Sequence, residues 1–376
     1  MISQVSCSCL AILVLLFPPS IHTFNIDTRH KFLQFSTPHN TSEFGYSVSL
    51  IDNPTSPLVV GAPSFDQGVG AIFKCDLRQQ KCDVVDVNHG GTPEQREGQK
   101  FGFSLTWVGN QLMACAPRFR IFITVKDDDT GKMRPESQPV GKCLMFDRNV
   151  RRVTSDNEIP CEEIFNQDKP HNMLLEGFGY CLAGTSSTGL PGREPFQKPT
   201  FFLGTPGTRH YTGHPLALLA DKDIAVPASG NLDEFPYEFR NSYIGYSVSA
   251  GHVIDRQPHG EVMAGAPRGR DLSGFALLYK LEDKFRKDFT WKVDLENPHT
   301  QLGSYFGGAV CVCDVNGDGA DDVLVGAPYF AKVQDEGRVY VYMNSPADAT
   351  YNRTHGSGDK YGFVDFFLFL MGLLCD

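Results

Sequence analysis

Five copies of one short frame divide this chain, and they constrain its fold more than any other feature. Each copy begins with an apolar residue followed by Gly and ends in an apolar run closed by a Gly-Ala-Pro-like triplet. The copies run from Phe44-Gly45 to Gly61-Ala62-Pro63, Phe101-Gly102 to Cys115-Ala116-Pro117, Phe178-Gly179 to Gly204-Thr205-Pro206, Ile244-Gly245 to Gly265-Ala266-Pro267, and Phe306-Gly307 to Gly326-Ala327-Pro328. Their starts lie about 55 to 77 residues apart, a period typical of repeat architectures. Several short strands per unit at this period predict an all-β β-propeller with one four-stranded blade per copy.

A loop in the last copy carries oxygen-bearing side chains at its first, third, fifth and ninth positions. These residues are Asp314, Asn316, Asp318 and Asp322. Alternate side chains of a tight loop can converge on one point, and calcium takes several oxygen ligands at about 2.3–2.6 Å. The backbone carbonyl of Ala320, at the seventh position, would join them. The loop leads into an apolar run closed by Gly and Pro, which indicates a strand and not the helix of an EF-hand. We therefore predict a Ca²⁺ loop in a β-hairpin. The alternative is a polar turn in which these side chains cluster by chance.

The FG…GAP frame, together with one DxNxDGxxD loop, resembles the head of integrin alpha subunits. The resemblance covers about residues 24–361. Residues 242–252, 302–307 and 336–342 are similar to the alpha-four/alpha-nine branch or its invertebrate relatives. The resemblance implies about five blades and a fragment of the family's seven-bladed ring. It also implies a function in cell adhesion, pairing with an integrin beta subunit, and binding of an extracellular matrix or cell-surface protein.

The two ends of the chain differ in character from the repeats. Residues 1–23 are predicted to be a secretory signal, because their apolar core is too short to span a bilayer and is followed by Pro18-Pro19. The alternative is an amphipathic or core segment. Residues 24–362 are assigned to an incomplete propeller. Residues 363–376 form a divergent apolar tail that does not continue a sixth copy, so we expect a truncated product that is secreted or retained in the secretory pathway.

The predicted secretion and the family resemblance indicate disulfide bonds between six cysteines and glycosylation at two sequons. Six cysteines permit fifteen pairings from sequence alone. The resemblance implies nearest-neighbour pairs, which are Cys75 with Cys82, Cys115 with Cys143, and Cys161 with Cys181. Sequons at Asn40 and Asn352 are predicted glycosylation sites, although such short motifs also occur by chance.

Composition and motifs argue against a nucleic-acid-binding protein and against an enzyme. A formal net charge of −10 argues against nucleic acid as the main partner. The sequence contains no HExxH and no GxSxG, and its histidines are scattered, so we predict that the chain is not an enzyme. Similar propellers occur appended to a phospholipase D, but that alternative needs a separate catalytic domain. A secreted decoy without receptor function is the third hypothesis.

The resemblance also implies a ligand-facing surface. In the family, loops of the second and third blades form the upper face, and residues 204–213 match a family turn in which Arg209, His210 and Tyr211 are predicted to contact a ligand or partner. A simple exposed loop histidine is the alternative for His210. In the fourth copy, the loop of residues 251–261 has only Asp255 and Glu261 as acids, so we predict no calcium there.

Overall fold

The computed structural model describes residues 34–35, 42–50, 58–126, 131–153, 158–162, 178–192, 199–219, 224–225, 239–254, 260–282, 288–332, 337–344 and 361–364. The chain divides into two units, Met1–Phe35 and Ser36–Asp376, and every element named below belongs to the second. The predictions for residues 1–23, for Asn40 and Asn352, and for nearly all of the tail lie outside the described residues.

Five four-stranded antiparallel sheets follow one another along the chain, one for each copy of the frame. We call them blades 1 to 5. Blade 1 contains β1 Ser47–Leu50, β2 Leu58–Ala62, β3 Ala71–Asp76 and β4 Lys81–Val84. Blade 2 contains β5 Ser104–Val108, β6 Gln111–Ala116, β9 Lys142–Phe146 and β10 Arg152–Val153, and the ribbon of β7 Arg120–Lys126 and β8 Met133–Pro139 is inserted between β6 and β9. Blade 3 contains β11 Ser186–Leu190, β12 Thr200–Thr205, β13 His214–Leu218 and β14 Ile224–Ala225. Blade 4 contains β15 Ser247–Gly251, β16 Glu261–Ala266, β17 Phe275–Glu282 and β18 Asp288–Glu296. Blade 5 contains β19 Ala309–Cys313, β20 Asp322–Ala327, β21 Arg338–Tyr342 and β22 Tyr361–Val364.

The predicted all-β propeller architecture of FG-GAP blades is confirmed, but the third copy begins later than predicted. In blades 1, 2, 4 and 5 the FG glycine donates its amide to the first residue of the GAP triplet at 3.0–3.1 Å. In blade 3 this donor is Gly184, whose amide lies 3.2 Å from the Gly204 carbonyl. The frame therefore starts at Ala183-Gly184, and the choice of Phe178-Gly179 was wrong. Gly179 instead packs against β8, where a Cβ would lie 2.0 Å from the Gln138 side-chain oxygen.

A repeated serine hydrogen bond joins consecutive blades. The serine two residues after each FG glycine donates its hydroxyl to the FG glycine carbonyl of the next blade. The pairs are Ser47 with Gly102 at 2.7 Å, Ser104 with Gly184 at 2.8 Å, Ser186 with Gly245 at 3.0 Å, and Ser247 with Gly307 at 2.9 Å. Blade 5 has Ala309 at this place, so the series ends there.

A glycine before the third strand allows neighbouring blades to approach closely. Gly274 has φ +84°, and a Cβ at this position would lie 2.1 Å from the Phe306 carbonyl oxygen of blade 5. The two residues form an isolated parallel bridge. Because only glycine combines this backbone conformation with so close an approach, the sequence cannot vary here without moving the blades apart.

The hydrophobic core lies between the blades because successive strand residues face opposite sides of a sheet. Val262 of β16 packs with Phe202 of blade 3. Its neighbour Met263 faces the other way and packs with Val323 and Val325 of blade 5. Each blade is therefore apolar on both faces, which explains the continuous apolar runs before the GAP triplets.

Short helical segments and disulfides complete the described part of the chain. The helical segments are Phe65–Gly68, Pro93–Arg96, Thr208–Tyr211 and Gly269–Leu272. Disulfides join Cys75 to Cys82, Cys115 to Cys143, and Cys161 to Cys181, the pairs that the family resemblance implies. No helix among the described residues is long and apolar enough to cross a bilayer.

Candidate functional site

The antiparallel topology sorts the connecting segments to two ends of the sheets. The FG turns precede the first strand of each blade, and the segments after the GAP triplets join the second strand to the third. Both therefore lie at the same end, which we call the FG face. The loops between the first and second strands, including the one from Asp314 to Asp322, lie at the opposite end, which we call the loop face.

The acidic side chains of the blade 5 loop bond to the loop's own backbone amides. The carboxylate of Asp314 accepts from the amides of Gly317 at 2.7 Å, Asp318 at 3.1 Å and Gly319 at 2.7 Å. Asn316 accepts from the Asp318 amide at 2.9 Å, and Asp318 accepts from the Ala320 amide at 2.9 Å. Gly317 and Gly319 both have positive φ, which turns the chain tightly enough for these contacts.

The ninth residue of the loop, Asp322, differs from the others because it is fully buried at the start of β20. Its carboxylate accepts from the Val315 amide at 3.0 Å and from the Asn344 amide at 2.7 Å. Within the described residues, no group of three or more acidic, histidine or cysteine side chains is arranged to hold a metal. The donor set nevertheless fits a hard cation, since all five predicted ligands are oxygens grouped in one tight loop.

The predicted contact residues Arg209, His210 and Tyr211 form a left-handed turn on the FG face. Their φ angles are +50°, +55° and +64°. L-residues in this conformation each cost about 1–2 kcal/mol relative to the right-handed one. The same turn recurs at Asp66–Gln67 in blade 1 and at Arg270–Asp271 in blade 4, so it belongs to the blade framework.

The three side chains of this turn point in different directions. His210 and Tyr211 are exposed, with 38% of Tyr211 accessible. Arg209 is turned inward, and burial lowers the pKa of its guanidinium. The three predicted contact residues are therefore not equivalent, because His210 and Tyr211 are exposed whereas Arg209 is only partly accessible.

Beneath this turn, His214 is buried as a neutral imidazole. Its Nδ1 lies 3.2 Å from the Thr205 hydroxyl, while its Nε2 has no hydrogen-bond partner. Burial lowers the pKa of His214 from 6.5 to about 3, and the nearby positive charge of Arg209 acts in the same direction. His214 is thus a structural residue that folding keeps uncharged.

A row of tyrosines crosses the FG face from blade 3 to blade 4. The rings of Tyr180 and Tyr211 are 6.4 Å apart, and those of Tyr211 and Tyr243 are 5.6 Å apart. The guanidinium of Arg268 lies 4.7 Å from the Tyr243 ring and donates to its hydroxyl at 2.7 Å. We call these four residues the tyrosine row. The sequence analysis identified only Tyr211, because the other members lie far apart along the chain.

A second group of tyrosines lies on the same face. Tyr305 is 5.5 Å from both Tyr246 and Tyr329, measured between ring centroids. Tyr329 is 66% exposed and Tyr246 is 37% exposed. Burial raises the pKa of Tyr305, which keeps its phenol neutral. Their signal in the sequence was their position beside the FG and GAP motifs.

Comparison with known proteins agrees with this architecture. The FG-GAP repeat family matches residues 306–342. Human integrin alpha-8 is 31% identical over 91% of this chain and 33% of its own length. Integrin alpha-4 of Xenopus laevis is 31% identical over 87% of this chain and 30% of its own length. Integrin alpha pat-2 of Caenorhabditis briggsae is 26% identical over 87% of this chain and 27% of its own length.

This chain spans about a third of the length of the curated relatives it matches. Because the alpha-8 and alpha-4 relatives match at the same identity, the assignment to the alpha-four/alpha-nine branch stays a prediction.

The relatives carry the names of integrin alpha subunits and none is named as an enzyme, in agreement with the prediction of a non-enzyme. The chain is a homologue of the integrin alpha subunits and matches their N-terminal region.

Proposed function

We propose that this chain forms the binding head of an integrin alpha subunit in cell adhesion, pairing with an integrin beta subunit and binding an extracellular matrix or cell-surface ligand. The observation that carries the proposal is 31% identity to human integrin alpha-8 over 91% of the chain, on a framework of five FG-GAP blades. Its setting would be the extracellular side of the plasma membrane. The disulfides at Cys75–Cys82, Cys115–Cys143 and Cys161–Cys181 support an oxidising compartment.

The FG face is the surface that we assign to partner binding. Aromatic residues and arginine are enriched at the centres of protein interfaces, where they combine apolar area with a polar tip. The tyrosine row supplies three phenol rings and one guanidinium on adjacent blades. His210 extends the same surface next to Tyr211.

We further propose that Asp314, Asn316, Asp318, Asp322 and the Ala320 carbonyl hold Ca²⁺. Extracellular calcium sites bind at roughly 10⁻⁴–10⁻³ M, which suits a calcium-rich exterior. Calcium there would supply a fixed positive charge that stiffens the loop face of blade 5. Because the loop lies opposite the FG face, its role is structural and does not require contact with a ligand.

Co-purification tests the pairing. The chain would be co-expressed in secreting cells with each of a set of tagged integrin beta subunits, and the captured material would be quantified. We expect at least one beta subunit to retain the wild-type chain. Replacing Tyr211 and Tyr243 by Ala should reduce capture at least about tenfold, as expected for central aromatic contacts.

Met343→Ala provides the matched control, because Met343 is an exposed apolar residue at the loop face. Capture of this variant should equal that of the wild type. Failure of every beta subunit to retain a folded wild-type chain would contradict the pairing. Equal loss from the Met343 and tyrosine variants would contradict the assignment of the FG face.

A further inference from the structure

The loops of blades 4 and 5 on the loop face differ in sequence but share one buried acidic position. Glu261 opens β16 and Asp322 opens β20, each four residues before the GAP glycine of its blade. Both residues are fully buried. Glu261 is therefore the blade 4 counterpart of the last predicted calcium ligand.

In blade 4 this carboxylate is bound by backbone amides. Glu261 accepts from the Val253 amide at 2.9 Å and from the Ile254 amide at 3.4 Å. These two bonds satisfy Glu261 from within its own blade. The beginning of the blade 4 loop is thus filled by a side chain of its own blade.

The backbone amide of His252, just before Val253, has its hydrogen-bond acceptor in blade 5. The amide of His252 donates to the Asp321 carboxylate at 2.6 Å. Asp321 stands at the eighth position of the DxNxDGxxD loop, outside the predicted ligand set. Gly251 lies close to both blade 5 side chains, since a Cβ there would lie 2.4 Å from Val312 Cγ1 and 2.8 Å from the same carboxylate oxygen.

Asn344 provides a second link between the two loops. Its side-chain amide donates to the Val253 carbonyl of blade 4 at 2.7 Å and to the Asp321 carbonyl at 3.3 Å. Its backbone amide donates to Asp322 at 2.7 Å. One residue therefore touches the blade 4 loop, Asp321 and a predicted calcium ligand.

We propose that Asp321 is a positioning residue that couples the calcium loop of blade 5 to residues 252–254 of blade 4. Asp321 is bonded along the chain to Ala320 and Asp322, two members of the predicted ligand set. Ordering of those two residues by a metal fixes the Asp321 backbone and with it the carboxylate that holds His252. The calcium step rests on the proposed function, whereas the contact between the blades does not.

Hydrogen exchange of the amides of residues 252–254 tests both steps. In metal-free protein, Asp321→Ala should speed exchange at His252 about tenfold or more, as expected for loss of a charge-assisted hydrogen bond. Asp321→Asn keeps an oxygen acceptor without the charge, so its exchange rate at His252 should lie between those of the wild type and Asp321→Ala.

Calcium at 10 mM forms the second arm of the same experiment. It should slow exchange at residues 252–254 in the wild type and have no such effect in Asp321→Ala. Asp86→Ala removes an exposed carboxylate elsewhere and should behave as the wild type in both arms.

The outcomes separate the two steps. Unchanged exchange at His252 in metal-free Asp321→Ala would overturn the contact between blades. Equal protection by calcium in the wild type and in Asp321→Ala would overturn the coupling. If calorimetry detects no calcium binding to the wild type, the calcium proposal and the coupling both fail, while the metal-free arm still decides the role of Asp321.

Discussion

The buried imidazole of His214 predicts an acid-sensitive blade 3. Its pKa is about 3 in the folded chain and 6.5 in the unfolded chain, so the unfolded state takes up a proton first as the pH falls. Stability is then complete above about pH 6.5 and declines below it. Between pH 7.5 and pH 5.0, linkage gives a loss of about 2 kcal/mol in the free energy of unfolding from this residue alone.

Urea denaturation of the wild type and of His214→Phe at both pH values isolates this contribution. Phe275 is the blade 4 residue at the same place, directly after the glycine that precedes the third strand, so an aromatic ring without titration has a precedent in this chain. The substitution can also change the free energy of unfolding by an amount that is the same at both pH values. The test is whether that difference changes by about 2 kcal/mol between the two pH values.

His210→Phe is the matched control, because His210 is exposed on the adjacent turn. This variant should keep the wild-type pH dependence. Identical pH dependence in the wild type and His214→Phe would refute the assignment of His214 as a buried neutral group. Burial also lowers the pKa of His89 to about 4, so His89 likewise reduces the free energy of unfolding as the pH falls. His89 is present in all three proteins, and its contribution therefore cancels in the comparison.

Three further predictions concern stability. Ser247→Ala removes the hydroxyl that bonds the Gly307 carbonyl and should lower the free energy of unfolding by about 1 kcal/mol in urea denaturation; no change would mean that the bond is not formed. Gly274→Ala should cost at least about 2 kcal/mol more than Gly303→Ala, because both have positive φ but only Gly274 faces a neighbouring backbone. Equal losses would contradict the close approach. Calcium at 10 mM should stabilise the wild type by about 1.4 kcal/mol for a dissociation constant of about 1 mM, and should not stabilise Asp314→Asn in thermal melts.

The repeat frame was predictable because its determinants are local. Glycine permits the positive φ of the FG turn and the proline that closes the GAP triplet ends a strand wherever they occur, so five copies of the frame predicted five sheets. The error in blade 3 has a physical cause. Phe178-Gly179 satisfies the local pattern, but the hydrogen bond to Gly204 is made by Gly184, and only the paired strand selects between them.

The calcium loop was predictable as chemistry but not as geometry. The spacing from Asp314 to Asp322 identified an all-oxygen donor set. It did not indicate that Asp314 bonds three amides of its own loop, or that Asp322 is buried while Asp314, Asn316 and Asp318 are exposed. Burial depends on neighbouring strands, which no loop pattern specifies.

The sequence by itself determined the class of fold, the number of blades described, the homology and the residue types at the loop. The tertiary structure alone decided which distant residues meet. The tyrosine row, the serine bonds between blades and the contact of Asp321 with His252 join residues that are 25 to 80 positions apart. Such contacts depend on the packing of one blade on the next, and a local motif such as the serine after the FG glycine does not name the partner that it meets.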